Sequence, residues 1–203
     1  MEVVNHKEEV PFEHYCKEWA AIDPVACGER SQVPFDRNAG TFRITMLGVT
    51  YTLHWPQFSI EGEGFASSNL PAQVLLMRYI MTATPAPFQG TFLTFREMPW
   101  GEVYIKPFTG RCITRAAFTF GTRLDAFRSA MDKLGATPVP HGDAAYEVEF
   151  LPGLFLQTIV WEGDDEFPPN SQLLFSDNFS EVFAAEDRVV CCDILISVVK
   201  SFM

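Results

Sequence analysis

Two apolar runs, residues 144–151 and 154–161, are separated only by Pro152-Gly153. A link that short sends the second run back along the first, because a parallel partner needs a crossover of a dozen or more residues. The runs carry Tyr146, Val148 and Phe150, then Leu154, Leu156, Ile159 and Val160, a composition that suits strands. An antiparallel pair is therefore expected here, and the rest of the chain must cover its apolar face.

The flanking residues supply both more strand and the helices to do so. Residues 172–175 read as a short strand, and residues 187–202 as a closing helix whose stripe holds Val190, Ile194 and Val198. Residues 8–22 place Phe12, Tyr15, Cys16 and Trp19 at helical spacing. Asp23-Pro24 ends that helix, and the stretch to Gly40 is polar and loop-like. Residues 41–55 read as two strands meeting near Gly48, since Phe42, Ile44 and Met46 alternate with Thr41, Arg43 and Thr45. A loop over 57–69 has a short strand around Ile60. Asn69 and Pro71 then open a helix over 70–83, the first accepting an orphan N–H and the second presetting φ. Residues 109–135 read as helical with a break near Gly121; Leu124, Phe127, Met131 and Leu134 share a face, and Gly135 stands at the C′ position.

Strands grouped between helices and joined by hairpin-length links define an α+β chain, a mixed or antiparallel sheet built from hairpins and packed with helices. The expected division is an N-terminal helix and loop over 1–40, part of or appended to the main domain, and one α+β domain over 41–203.

Charge narrows the partners. With 15 basic and 26 acidic residues the formal charge is −11, which repels phosphate backbones, so no nucleic acid is expected. No basic amphipathic helix offers itself to an anionic membrane, and no run of 18 apolar residues spans one. The first ten residues carry Glu2, Lys7, Glu8 and Glu9 without an apolar stretch, unlike a secretory signal. The five cysteines, Cys16, Cys27, Cys112, Cys191 and Cys192, are odd in number and scattered, which fits reduced, mostly buried thiols of a cytoplasmic protein.

Motifs for chemistry are sparse. Metal sites need closely spaced ligands, and no C-x-x-C occurs. Neighbours Cys191 and Cys192 point about 100° apart on a helix, and His6, His14, Cys16 and Cys27 fit no recognised spacing. No intrinsic metal or cofactor is expected. There is no G-x-S-x-G elbow, His54 reads as a structural imidazole beside Trp55, and Gly62-Glu63-Gly64 lacks the spacing and lysine of a phosphate loop. The densest polar feature is Trp161-Glu162-Gly163-Asp164-Asp165-Glu166-Phe167-Pro168-Pro169. Hard cations want several oxygens, but the alternating calcium-loop ligands are missing, so it reads as a solvated acidic turn capping neighbouring N–H groups.

Residues 91–107 read as a β-hairpin around Met98-Pro99-Trp100-Gly101. A four-residue loop would set Glu97 against Glu102. A loop over 97–101 instead sets Arg96 opposite Glu102, with Leu93, Phe95, Val103 and Ile105 on one face and Thr94, Arg96, Glu102, Tyr104 and Lys106 on the other. That polar face, with Trp100 at its tip and Trp161, Asp164 and Asp165 nearby, is the expected ligand or partner surface.

Three segments together carry a resemblance: Leu75 to Ile80 as a helix end, Thr94-Phe95-Arg96-Glu97-Met98-Pro99-Trp100-Gly101 with Tyr104, and the Trp161 to Pro168 loop continuing to Leu173-Leu174-Phe175. Over residues 41–196 the chain resembles an uncharacterised cytoplasmic domain family of anaerobic bacteria and archaea. Some members are joined to, or encoded near, a cysteine-rich domain like that of corrinoid iron–sulfur proteins. The resemblance implies a binding or accessory module with an iron–sulfur or corrinoid protein as partner, in one-carbon or low-potential redox metabolism. No cysteine-rich cluster segment occurs in these 203 residues, so a cluster is expected on the partner, and a corrinoid is the cofactor such company suggests. The other two readings are a small-molecule enzyme using Arg96, Tyr104 and the Asp164/Asp165 loop, and an oligomerisation or scaffold domain. The metal expectation has a direct check: elemental analysis of untagged protein should find neither zinc nor iron in stoichiometric amount.

Overall fold

The Pro152-Gly153 link does what its length demands. In the computed structural model, which describes residues 8–203, it joins two strands whose register runs from Ala144↔Val160 to Leu151↔Leu154. The chain divides into two compact units, Met1–Ala86 and Pro87–Met203.

In the first unit, helices α1 (Glu9–Ala21), α2 (Pro24–Ser31) and α3 (Leu70–Thr82) accompany strands β1 (Phe35–Asp36), β2 (Thr41–Met46), β3 (Val49–His54) and β4 (Ser59–Glu61). The strands form an antiparallel sheet in sequence order. Leu47 and Gly48, with φ of 49° and 78°, turn β2 into β3 with the twist a tight hairpin needs. Trp19 of α1 is fully buried edge-on against Phe42, and its Nε1 donates to the His54 carbonyl at 2.9 Å. Asn69 caps α3 as expected, its Oδ1 accepting from Ala72 N at 2.9 Å.

One expectation changes here. Residues 24–31 are helix where the sequence reads as loop. Asp23-Pro24 ends α1 and also starts α2: Asp23 Oδ1 accepts from Val25 N and Ala26 N, with proline in the first turn. Residues 35–36 join the sheet of this unit, Phe35 pairing with Phe42.

The second unit is built on β5 (Phe92–Thr94), β6 (Thr137–Pro138), β7 (Ala144–Leu151), β8 (Leu154–Trp161) and β9 (Asn170–Ser176). They form one antiparallel sheet in the order β5-β9-β8-β7-β6. Tyr146, Val148 and Phe150 alternate with Leu156, Leu173 and Phe175 on buried positions of one face. Its helices are α4 (Gly101–Phe108), α5 (Arg115–Phe120), α6 (Leu124–Lys133), α7 (Phe179–Val182) and α8 (Ala185–Ser201), with a π-helical turn over Thr109–Thr114 joining α4 to α5. The α8 helix is buried around most of its circumference, as a helix inside a core must be. Arg111 and Arg115 both reach its Asp193, at 2.5 and 3.1 Å. With that, the α+β class and the hairpin-built antiparallel sheet hold.

The hairpin expected over 91–107 does not form. β5 pairs with β9 instead, Thr94 opposite Leu174, and residues after Gly101 are helical. Alternation over 102–106 competes with a longer four-residue period: Phe108, Cys112, Ala116 and Phe120 are all buried. The longer signal wins because it buries a continuous stripe. Val103, expected on the apolar face, is 68% exposed. Arg96 and Glu102 do meet at 3.3 Å, but across the turn and not in a ladder; as an exposed pair it contributes at most about 1 kcal/mol.

Limited digestion with subtilisin should therefore cut first within residues 84–90, outside every helix and strand, and leave a fragment beginning near residue 87. A first cut within residues 24–40 would instead favour the boundary read from sequence.

Candidate functional site

The acidic loop after β8 is held by its own backbone and by two neighbours. Asp143, just before β7, accepts from Glu162 N through Oδ2 at 2.8 Å. Gly163 N donates to the Gly121 carbonyl at 3.3 Å, and Asp164 N to the Phe167 carbonyl at 2.9 Å. Asp164 Oδ1 then accepts from Glu166 N at 2.8 Å and Phe167 N at 2.7 Å. These two amides hold the Asp164 carboxyl below the ordinary aspartate range. The loop also needs small residues where it folds down: a Cβ on Gly163 would lie 2.6 Å from Pro169 Cδ, and one on Gly121 would lie 2.6 Å from Pro169 Cβ.

What this fixed turn leaves outside is aromatic and acidic. Phe167 is 67% exposed and Trp161 36%; Glu162, Asp165 and Glu166 are exposed too. None of these three carboxylates makes an ion pair among the described residues. Beside them opens a cleft of about 590 Å³ lined by Arg123, Asp125, Arg128, Asp143 and Glu162. Arg128 links two of its lining residues, donating to Asp125 Oδ1 at 3.0 Å and to the Asp143 carbonyl at 2.8 Å. A smaller hollow of about 260 Å³, including His141 and Tyr146, shares Arg128 and Asp143 with it.

The residues expected at the site fall into two groups. Arg96, Trp100 and Tyr104 lie on the turn before α4 and on α4 itself; Trp161, Asp164 and Asp165 lie on the end of β8 and the acidic loop. No hydrogen bond, ion pair or ring contact joins the two groups among the described residues. Asp164 is engaged by the turn, as a capping reading of the loop expects, whereas Asp165 projects outward. Arg96 is engaged with Glu102, and Trp100 is 72% exposed. Sequence reasoning missed Asp143, Arg123 and Arg128. Asp143 stands in Gly142-Asp143, a turn signal before a strand, but nothing local shows that its carboxylate reaches Glu162.

Other candidate chemistry disperses. His6 lies outside the described residues; His14 pairs with Glu18 at 3.3 Å on one helix face, and His54 with Glu61 at 3.0 Å. Cys27 is buried and Cys16 half-buried. No group of three or more His, Cys, Asp or Glu side chains among the described residues is placed to hold a metal ion. Burial pushes the Cys191 and Cys192 thiols well above their ordinary pKa, the opposite of an activated nucleophile. Among the described residues no helix is long and apolar enough to cross a membrane.

Two antiparallel sheets with their helices, and a latched acidic loop over a polar cleft, define an α+β protein whose most developed surface lies in its second unit. The chain belongs to the family described as Domain of unknown function (DUF3786), matched over residues 23–198. That span takes in every strand of both sheets. No curated protein and no solved structure is significantly similar to it.

The lowered pKa of Asp164 gives the loop a definite response to acid. A depressed carboxyl stabilises the fold fully above the ordinary aspartate value, and that contribution goes as pH falls through the lowered one. The Glu166 and Phe167 amide NMR shifts should titrate together with a midpoint below the ordinary aspartate value. A midpoint at the ordinary value would show that Asp164 does not hold the turn.

Proposed function

We propose that the chain is a non-catalytic binding module that docks a cationic, partly apolar protein surface on its acidic loop. The observation that supports this is Phe167, kept 67% exposed by a turn closed through the Asp164 amide and carboxylate. Leaving a phenylalanine in water forgoes about 1.5–3 kcal/mol of burial. A flexible loop would recover part of that by folding the ring inward; this one holds it out. An aromatic anchor on a rigid support loses little conformational freedom when a partner covers it. Around it, Glu162, Asp165 and Glu166 on a chain of net charge −11 steer a cationic surface into place.

The family resemblance supports the choice of partner class, an iron–sulfur or corrinoid protein of an anaerobe's cytoplasm. Clefts of a few hundred cubic ångströms suit drug-sized molecules, so a corrinoid is assigned to the partner and not to this chain. Titration of the full chain with a purified corrinoid iron–sulfur protein, by calorimetry under anaerobic conditions, tests the reading. Binding should weaken with added salt. Phe167→Ala, and separately the pair Asp165→Asn with Glu166→Gln, should each lower affinity at least tenfold, about 1.4 kcal/mol, with unchanged melting curves. Undiminished affinity in both variants, or no binding by the natural chain, would refute it.

A further inference from the structure

Arg188 of α8 keeps only 1% of its surface exposed, and its Nε has no hydrogen-bond partner among the described residues. Its Nη2 donates to the Pro99 carbonyl. The guanidinium carbon sits 5.3 Å from the centre of the Phe95 ring, which is stacked at 4.1 Å on Phe108. Arg188 takes part in no ion pair among the described residues. Burial pulls its pKa below the ordinary arginine value, while Cys191, Asp187 and Cys192 push the other way. A buried guanidinium normally fills its donors; this one leaves Nε unfilled.

The unfilled donor has a direction. Arginine takes carboxylate and phosphate groups side-on, through Nε–H and the neighbouring Nη–H together. Here that edge meets one neutral carbonyl oxygen, which satisfies one of its two donors. The carbonyl belongs to a strained segment: Trp100, the next residue, has a φ of 63°, a left-handed conformation that costs a bulky side chain free energy. Gly101 follows so tightly that a Cβ on it would lie 2.0 Å from the Phe95 carbonyl oxygen. The outer side of the segment is apolar and unburied, with Trp100 72% and Val103 68% exposed.

We propose that the Nε/Nη2 edge of Arg188 is a receptor for an oxyanion, a carboxylate or a phosphate group, and that the Met98-Pro99-Trp100 turn is its lid. In the closed state the Pro99 carbonyl occupies the edge. An entering oxyanion displaces that carbonyl, fills both donors and neutralises the buried charge, while the lid gives up the left-handed Trp100.

The test uses the full chain, titrated with inorganic phosphate and separately with succinate, at ionic strength fixed by sodium chloride. Trp100 emission is isolated by subtracting a Trp100→Phe variant. A saturating change with either anion, absent with chloride alone, is expected; the anion that produces it names the group taken. Arg188→Met, of similar length without the charge, should weaken the response at least tenfold and should not lower the melting temperature, because it removes an incompletely paired buried charge. In the natural chain, the same anion should speed hydrogen exchange at the Gly101 amide, which bonds the Met98 carbonyl at 3.0 Å when the lid is closed. That second reading stands even if the variant fails to fold. No emission change with either anion, or slowed exchange at Gly101, would overturn the proposal and leave Arg188 a strut for the turn.

Discussion

Phe175 is where the second unit is held together. Its ring, on β9 and fully buried, lies 6.1 Å from both Phe95 and Phe108 and 5.2 Å from Phe179. Phe179 continues the cluster to Phe183 at 5.7 Å and Phe150 at 6.4 Å. One connected group of rings thus joins the sheet to the turn before α4, to α4 itself and to α7. Aromatic rings bury large areas and favour particular mutual orientations, so each element is fixed in position as well as covered. The buried Arg188 rests on the same group through Phe95 and inherits its rigidity.

The acidic excess has a second use besides solubility. Asp23, Asp36, Glu97, Asp143, Glu149, Asp164 and Asp177 all accept from backbone N–H groups at helix starts, turns or loop bases. A carboxylate on a backbone amide forms a charge-assisted bond and fixes a loop without a metal or a disulfide. Part of the net charge is therefore loop architecture, and what faces a partner is the remainder.

The parts of the fold that the sequence states locally are the parts that could be read from it. The Pro152-Gly153 turn, the Asn69 cap and the break at Gly121 are each decided by a few neighbouring residues. Residues 91–107 were not legible, because a five-residue alternation looks the same in a strand and in the first turns of a helix that continues well beyond it. The helix over residues 24–31 is hidden in the sequence because one Asp-Pro pair carries both a stop and a start. At the site, Asp164 was readable as an amide cap within its own loop. Asp143 was not, because its partner Glu162 lies 19 residues away and is brought close only when β7 and β8 pair.

The latched loop separates what must stay from what is free to vary. Gly121, Gly163, Asp143 and Asp164 make its frame, and a change at any of them moves the backbone. Asp165, Glu166 and Phe167 contribute their side chains to none of its internal hydrogen bonds. Lineages carrying this frame can exchange those three residues and acquire new partners while folding the same way, much as an immune receptor diversifies its loops over a constant scaffold. Across relatives, partner choice should therefore be written in three adjacent side chains, and the frame around them should record only descent.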